Sequence, residues 1–401
     1  MTSGETLKKS HKLQPELVKM RRYLHETPEL SFFEQETSKY AADKLQRLGY
    51  QTKTGLARTG LIADLGNGSG PKIAIRADMD ALPVIEENEQ PYRSRNVGVM
   101  HACGHDAHIS CALGAAQLLL EESEGVLKSK GGSIRMLMQP AEEAPDEDGY
   151  SGAYRMIEDD ALKGVSAIIG LHMDASLAAG KVGIAAGPVM AAANHFKVII
   201  RGKGGHGAFP EDAIDAVVIG AQVVQAIQLI ISRRISALTP AIITIGSFHS
   251  SSTRGNVISE SVELHGTFRS FSETTHAQIK HELARACSIA EAMGGSHAIQ
   301  YEEGYPVTVN DPNITAVMRS AAVDLIGEEN VIHFSPKPWS EDFSMYQKLL
   351  PGCFMFLGAE IEGSRRSHHT AAFDIDESGL HIGAAIMAET AKRLVEQLAD
   401  K

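Results

Sequence analysis

The chain is poor in cysteine, with only Cys103, Cys111, Cys287 and Cys353 in 401 residues. So sparse and irregular a set argues against a disulfide framework, and a cytoplasmic setting is the expectation. Basic charge is also in deficit. Lys and Arg number 38 against 50 Asp and Glu, a formal net charge of −12, and no basic cluster reverses the balance. Nucleic acid and anionic membranes are therefore poor partners, and an anionic substrate must be drawn by local positive groups such as bound metal. The opening segment, MTSGETLKKSHKLQ, lacks the apolar stretch of a secretory signal. The longest apolar-rich segment, 213–231, is interrupted by Asp215, Gln222, Gln225 and Gln228, and reads as a packed helix and not a membrane span. Repeats and low-complexity tracts are missing.

What is present is a globular composition, 43% hydrophobic, on a chain too long for one ordinary core; two domains are expected. Residues 14–48 carry Leu17, Met20, Leu24, Ala41, Leu45 and Leu48 at helical spacing, with a break at Pro28. Residues 72–76 (KIAIR), 134–138 (IRMLM) and 167–171 (AIIGL) read as short buried strands, with helical stretches such as 108–122 between them. That alternation predicts an α/β domain with a mostly parallel sheet covered on both faces. After Gly187 the pattern changes. A strand at 196–201, a glycine-rich turn, a helix at 213–233, strands at 241–248 and 262–269, a helix at 275–293 and a strand at 297–302 make a β-α-β-β-α-β unit. From Asn310 the first pattern returns and ends in a helix over 380–399. The reading is a small α+β domain, 189–304, inserted into a larger one, 1–188 and 305–401.

Five polar clusters interrupt apolar surroundings: Asp78-Met79-Asp80, His101-Ala-Cys103-Gly-His105-Asp106-Ala-His108, Glu142-Glu143, His172, and His368-His369 with Phe373-Asp374. Each alone has an ordinary explanation. A buried histidine is usually structural, paired glutamates usually lie on a solvated face, and HACGHDAH could serve a thiol-based catalytic site or a structural zinc loop. The coincidence decides. Clusters placed just past the carboxyl ends of strands fall where open α/β sheets bind ligands, and thiolate, imidazole and carboxylate together suit zinc, manganese, cobalt or nickel.

Nearly the whole chain resembles the aminoacylase and carboxypeptidase family of co-catalytic metallohydrolases. The branch it most resembles contains auxin-conjugate hydrolases, hippurate hydrolases and bacterial N-acyl-amino-acid amidohydrolases. The resemblance is carried, in order, by RRYLHETPELSFFEQET, RADMDALP, MHACGHDAH, QPAEE, GLHMDASLAAGKVG, RGKGGHGAFPEDAIDAV, RGNVI, HGTFRSF, SEDFS and HHTAAFDIDE. It implies a catalytic α/β domain with an inserted dimerisation or lid domain. It implies two divalent ions per subunit, held by Cys103 in a bridging position with His105, Glu143, His172 and His369. It implies Glu142 as general base, Asp80 as the acid orienting a ligand, and Asn256 and Arg269 near the substrate. It implies that His206 completes the active site of a partner subunit in a homodimer, or in a tetramer. The implied reaction is hydrolysis of an N-acyl amino acid to a carboxylate and a free amino acid by a hydroxide shared between the metals. A dipeptidase or metallocarboxypeptidase is the alternative. Two features depart from the branch: the proline expected before Phe373 is missing and His368 competes with His369 as ligand, and Asp78 stands where other branches have histidine.

Overall fold

The computed structural model describes residues 2–66, 69–120, 124–364 and 366–400. They pack into two compact units. The first takes the chain up to Gly187, then Val309–Ser335 and everything from Asp342; the second holds Pro188–Thr308 and Pro336–Glu341. The sequence gives no sign of that second, six-residue excursion. It is tied to the start of its unit by backbone bonds from Lys337 N–H to Val189 O (3.0 Å) and from Ala191 N–H to Trp339 O (2.7 Å).

The first unit is built on an eight-stranded mixed sheet in the order Gln51–Leu56, Gly60–Gly66, Ser133–Gln139, Lys72–Asp78, Ala167–Ala178, Gly352–Glu360, Val182–Ile184, Val331–His333. Its four middle strands, from Ser133–Gln139 to Gly352–Glu360, are mutually parallel. They read as near-continuous apolar runs because both faces are covered. On Gly352–Glu360, Cys353, Met355 and Leu357 join the core shared with the helices Ser3–Glu26, His105–Leu120 and Leu380–Ala399. The alternate residue Phe354 points the other way and stacks on Phe343, ring centroids 4.7 Å apart. Helices on both faces are thus a consequence of the period-two side-chain alternation of the strand.

The N-terminal helix begins at Ser3, well before the expected residue 14, because Thr2 and Glu5 form a reciprocal capping box. Pro15 lies inside that helix, where its missing N–H forgoes one backbone bond. The helix stops at Glu26, before Pro28, and a second runs from Gln35 to Arg47. The helix expected over 108–122 runs from His105 to Leu120; Glu121 and Glu122 lie outside the described residues. His172, expected just past a strand end, lies inside the strand Ala167–Ala178, which continues because Gly352–Glu360 pairs with it as far as Ala178.

The second unit is a four-stranded antiparallel sheet in the order Ala241–Ser250, Ser261–Ser270, Ala192–Arg201, Ser296–Glu303, with the helices Ala216–Arg233 and Glu273–Cys287 in the crossovers. Ile219, Val223, Ile227 and Ile230 of the first helix, Ile279 and Leu283 of the second, and Phe196, Val198, Ile200, Leu264 and Phe268 of the sheet share one core. The helix Ala216–Arg233 is long and apolar enough to cross a membrane by composition, but this face of it is packed. All four cysteines are unpaired and buried.

Candidate metal centre

Because the strands Lys72–Asp78, Ser133–Gln139 and Ala167–Ala178 are parallel neighbours, their carboxyl ends share one edge. Asp78 and Asp80, Glu142 and Glu143, and His172 are delivered there. The loop carrying Cys103 arrives at the same edge and turns into the helix His105–Leu120. Gly104 makes that turn at φ +90°, and a Cβ there would meet the Met173 side chain at 3.2 Å, so only glycine fits.

Two groups of ligand atoms form around Cys103, each with all atoms within 4.8 Å of one another: Cys103, His105 and His172, and Cys103, Glu143 and His369. Cys103 Sγ is 3.5 Å from His172 Nε2 and 3.3 Å from His369 Nε2. Glu143 Oε1 is 3.3 Å from His369 Nε2 and 3.8 Å from His105 Nε2. Glu142 offers a carboxylate oxygen within 4.8 Å of both His105 and Glu143.

The remaining nitrogens of the two buried histidines are engaged behind the centre. His105 Nδ1 faces Asp80 O and Oδ1 at 2.9 and 3.2 Å, and His172 Nδ1 donates to Met173 O at 2.7 Å. Both rings therefore turn Nε2 inward, the arrangement that a metal ligand requires. Asp80 also accepts from Ser31 Oγ (2.7 Å) and from the Glu143 backbone N–H (2.9 Å), so one carboxylate fixes two members of the group. His369 rather than His368 meets Cys103. Its backbone is left-handed, φ +60°, and its N–H donates to Ala102 O at 2.8 Å. His368 Nε2 instead accepts from the Ala175 N–H at 3.2 Å.

The electrostatics of the centre favours cations. Burial would push His105 down, yet Asp78, Asp80 and Glu143 hold it up to about 10. Burial and the carboxylates of Glu143, Glu142 and Asp78 push the Cys103 thiol well above its ordinary range. Two buried atoms at the centre, His105 Nε2 and Glu143 Oε1, make no hydrogen bond. A sulfur, imidazoles and carboxylates that converge with surplus negative charge and unsatisfied polar atoms fit divalent cations. A neutral thiol among carboxylates is, by the same argument, a poor lone nucleophile.

Of the other expected site residues, His206, Asn256 and Arg269 all belong to the second unit. His206 and Asn256 meet on a two-stranded ribbon, Gly205–His206 against Val257–Ile258, where the Gly207 N–H donates to Asn256 O at 2.9 Å. The glycines here serve close approach: a Cβ on Gly202 would lie 2.1 Å from Ile214 O. His206 Nδ1 accepts from the Ala208 N–H at 3.1 Å, which leaves the proton on Nε2. Arg269 donates to Pro338 O at 2.8 Å.

The sequence reading missed Glu34. Its carboxyl is fully buried, accepts from the Ala141 N–H at 2.8 Å and from Thr59 Oγ1 at 2.5 Å, and is raised to about 7 by burial and by Asp80. Ala141 immediately precedes Glu142 and is itself left-handed, φ +50°; for a non-glycine residue that is strained, and Glu34 holds it. The available signal was a carboxylate in ELSFFEQET flanked by aromatic residues.

A sheet edge that gathers thiol, imidazole and carboxylate groups, with Glu142 beside them, defines a hydrolase-type centre. Residues 74–393 match the model of Peptidase family M20/M25/M40, and the chain belongs to this family of hydrolases. It is 40% identical to an N-acetyl-L-cysteine deacetylase of Bacillus subtilis, over 96% of this chain and 89% of that one. It is 37% identical to an IAA-amino acid hydrolase of Arabidopsis thaliana, over 98% and 89%. It is 37% identical to a thermostable carboxypeptidase of Saccharolobus solfataricus, over 92% of each. Among solved structures, a dinuclear metal binding peptidase of the M20 family from Bacillus subtilis superposes with a TM-score of 0.83 at 33% identity, covering 96% and 99%.

Proposed function

We propose that the protein is a metal-dependent amidohydrolase that splits the amide bond of N-acyl amino acids. The observation that carries this is the pair of ligand groups sharing Cys103 Sγ, with Glu142 beside them. Cys103, His105 and His172 would hold one ion, and Cys103, Glu143 and His369 the other. Two ions bound there would polarise the amide carbonyl and acidify the attacking water.

The protein's own groups do the rest. Glu142 removes a proton from the water as its oxygen bonds to the carbonyl carbon. It returns that proton to the amide nitrogen as the C–N bond breaks, because an amine leaves poorly unless protonated. Asp80 keeps His105 oriented throughout. His206, with its proton on Nε2, donates to the developing oxyanion from a partner subunit, while Asn256 and Arg269 contact the substrate. The products are a carboxylate and a free amino acid.

A homodimer is supported by the second unit. Its strand Ala241–Ser250 lies at the sheet edge with Ile242 and Phe248 exposed, beside a helix that exposes Val217, Val218 and Leu229; edges and apolar patches of this kind ask for cover. The carboxypeptidase relative favours one second reading, cleavage of peptides at a free carboxyl terminus. The test is a panel of N-acetyl, N-benzoyl and N-indolylacetyl amino acids and dipeptides. It is run on enzyme stripped with a chelator and reloaded singly with Zn, Mn, Co or Ni. Turnover of N-acyl amino acids that vanishes on stripping and returns on reloading is expected. Full activity in the stripped enzyme would overturn the proposal, and a preference for dipeptides would transfer it to the second reading.

A further inference from the structure

Beside the two ligand groups stands a third histidine, His108, one turn along the helix from His105. With Asp78 and His105 it forms another cluster close enough to hold an ion. Its hydrogen bonds argue against that use. His108 Nε2 lies 2.8 Å from the backbone nitrogen of Met173, whose N–H can only donate. Nε2 is therefore the acceptor, and the ring proton sits on Nδ1. That proton is donated to Asp78 Oδ1 at 2.6 Å. The other oxygen of Asp78 accepts from Arg76 at 2.6 Å, and Arg76 is held in turn by Asp342 and Gln139 at 2.9 Å each. Both nitrogens of His108 and both oxygens of Asp78 are committed.

The chain of bonds ends on a ligand. Met173 follows His172, and its carbonyl accepts from His172 Nδ1 at 2.7 Å. The strand Ala167–Ala178 pairs with Lys72–Asp78 only as far as Gly170, so beyond that point the strand edge needs another partner for its backbone. His108 supplies it at Met173. Its ring also packs edge-on against the His172 ring, centroids 4.6 Å apart. Met173 is thus pinned from both directions, and the direction in which His172 presents Nε2 depends on where Met173 is held.

We propose that His108, anchored by Asp78 and Arg76, is a positioning residue. It fixes His172, and with it the ion site of Cys103, His105 and His172, and is not itself a ligand. Asp78, which stands where other branches of the family carry histidine, serves here as the anchor. This rests on the two-ion reading above. A ligand ring free to rotate binds its ion more weakly, and losing such a supporting contact costs roughly 10–100-fold in metal affinity.

The experiment measures both stepwise zinc affinities by chelator competition, with stoichiometry by elemental analysis, in wild type, His108→Phe, His108→Gln and Asp78→Asn. His108→Phe keeps an aromatic ring and removes both bonds. It should weaken one of the two zinc sites by roughly 10–100-fold and leave the other near wild type. His108→Gln still offers an oxygen to the Met173 N–H and should recover most of that loss. Asp78→Asn should fall between them. Far-UV circular dichroism and thermal melts identify any variant that fails to fold, in which case the remaining two carry the comparison. Wild-type affinity at both sites in His108→Phe would overturn the proposal. So would one zinc lost outright in both His108 variants, since that would make His108 a ligand. Equal weakening of both sites would overturn it as well, by showing general loosening. Failure of wild type to bind two ions would instead sink the two-ion reading itself, so the two failures are distinguishable.

Discussion

Cys103 Sγ sits between His172 and His369, and its surroundings hold a proton on it unless cations are present. Cys103→Ser exchanges a soft anionic ligand for a hydroxyl that keeps its proton. Metal content should fall, and activity should fall at least as far. Unchanged occupancy with unchanged turnover would remove Cys103 from the centre. The neighbouring glutamates should fail differently. Glu143→Gln leaves a poorer ligand and should weaken metal binding. Glu142→Gln should keep metal and substrate but lose roughly 10²–10⁴-fold in turnover, the usual contribution of a general acid-base group. Metal analysis beside kcat on both variants decides, and the reverse pattern would exchange the two roles. Much of this was legible in the sequence, because residue type alone announces soft and hard ligands. What was not legible is which neighbour of a pair points inward. His368 and His369 are adjacent, and only the left-handed backbone at His369 sends one ring to Cys103 and the other to Ala175. The role of Asp78 was equally hidden, since it depends on which nitrogen of His108 carries a proton.

At the scale of elements, the helices Ser3–Glu26 and His105–Leu120 are joined by buried charge. Arg21 pairs with Asp106 at 2.9 Å, Asp374 at 3.0 Å and Glu377 at 3.2 Å, and His25 Nδ1 meets Asp106 at 2.7 Å. Asp106 follows His105 and Asp374 lies in the terminal motif, so this network ties the N-terminal helix to both ends of the metal centre. Burial and Arg21 pull His25 down, but Asp106 and Glu86 outweigh them and its net shift is upward; Asp106 is held far below the carboxylate range, with Arg21 and His25 overcoming the effect of burial. The signs follow from linkage. Stability from a raised histidine is complete below its unfolded value of about 6.5 and is lost as pH rises through its folded value. Stability from a depressed Asp106 is present above about 3.9 and is lost in acid. His25→Gln should therefore cost the metal-free protein about 1.5–3 kcal/mol at pH 6, the range for a hydrogen bond to a charged group, and less at pH 9. Urea unfolding at the two pH values measures it, and a cost that is constant or larger at pH 9 would contradict the assignment. In RRYLHETPEL the spacing of Leu17, Met20 and Leu24 revealed the helix, but a buried Arg-His pair on a polar-looking segment is indistinguishable from a solvated face until its partners, some 80 and 350 residues away, are seen.

At the scale of the whole molecule, the β-α-β-β-α-β order of the second unit could be read directly, since the four strands of its main sheet have ten or eight residues, three of them with alternating burial, and the two long helices each carry a packed stripe. The order of the large sheet could not. Its far edge rests on Val182–Ile184 and Val331–His333, three residues each, too short for any period to register. The larger question at this scale is whether one chain makes one site. His206 and the ligand groups belong to different units, and His206 is assigned above to a partner's site. That assignment makes a statistical prediction about two inactive chains, His206→Ala and Glu142→Ala. In a mixed dimer, one site joins the intact Glu142 of the first chain to the intact His206 of the second, and the other site carries both lesions. Random pairing makes about half of the dimers mixed, each with one sound site in two, so activity should return to roughly a quarter of wild type. If His206 serves its own chain, every site keeps one lesion and nothing returns. Co-expression with two affinity tags isolates the mixed dimers, and purified mixed dimers should then show about half of wild-type activity per dimer. Mixed dimers no more active than either parent would place His206 outside a shared site.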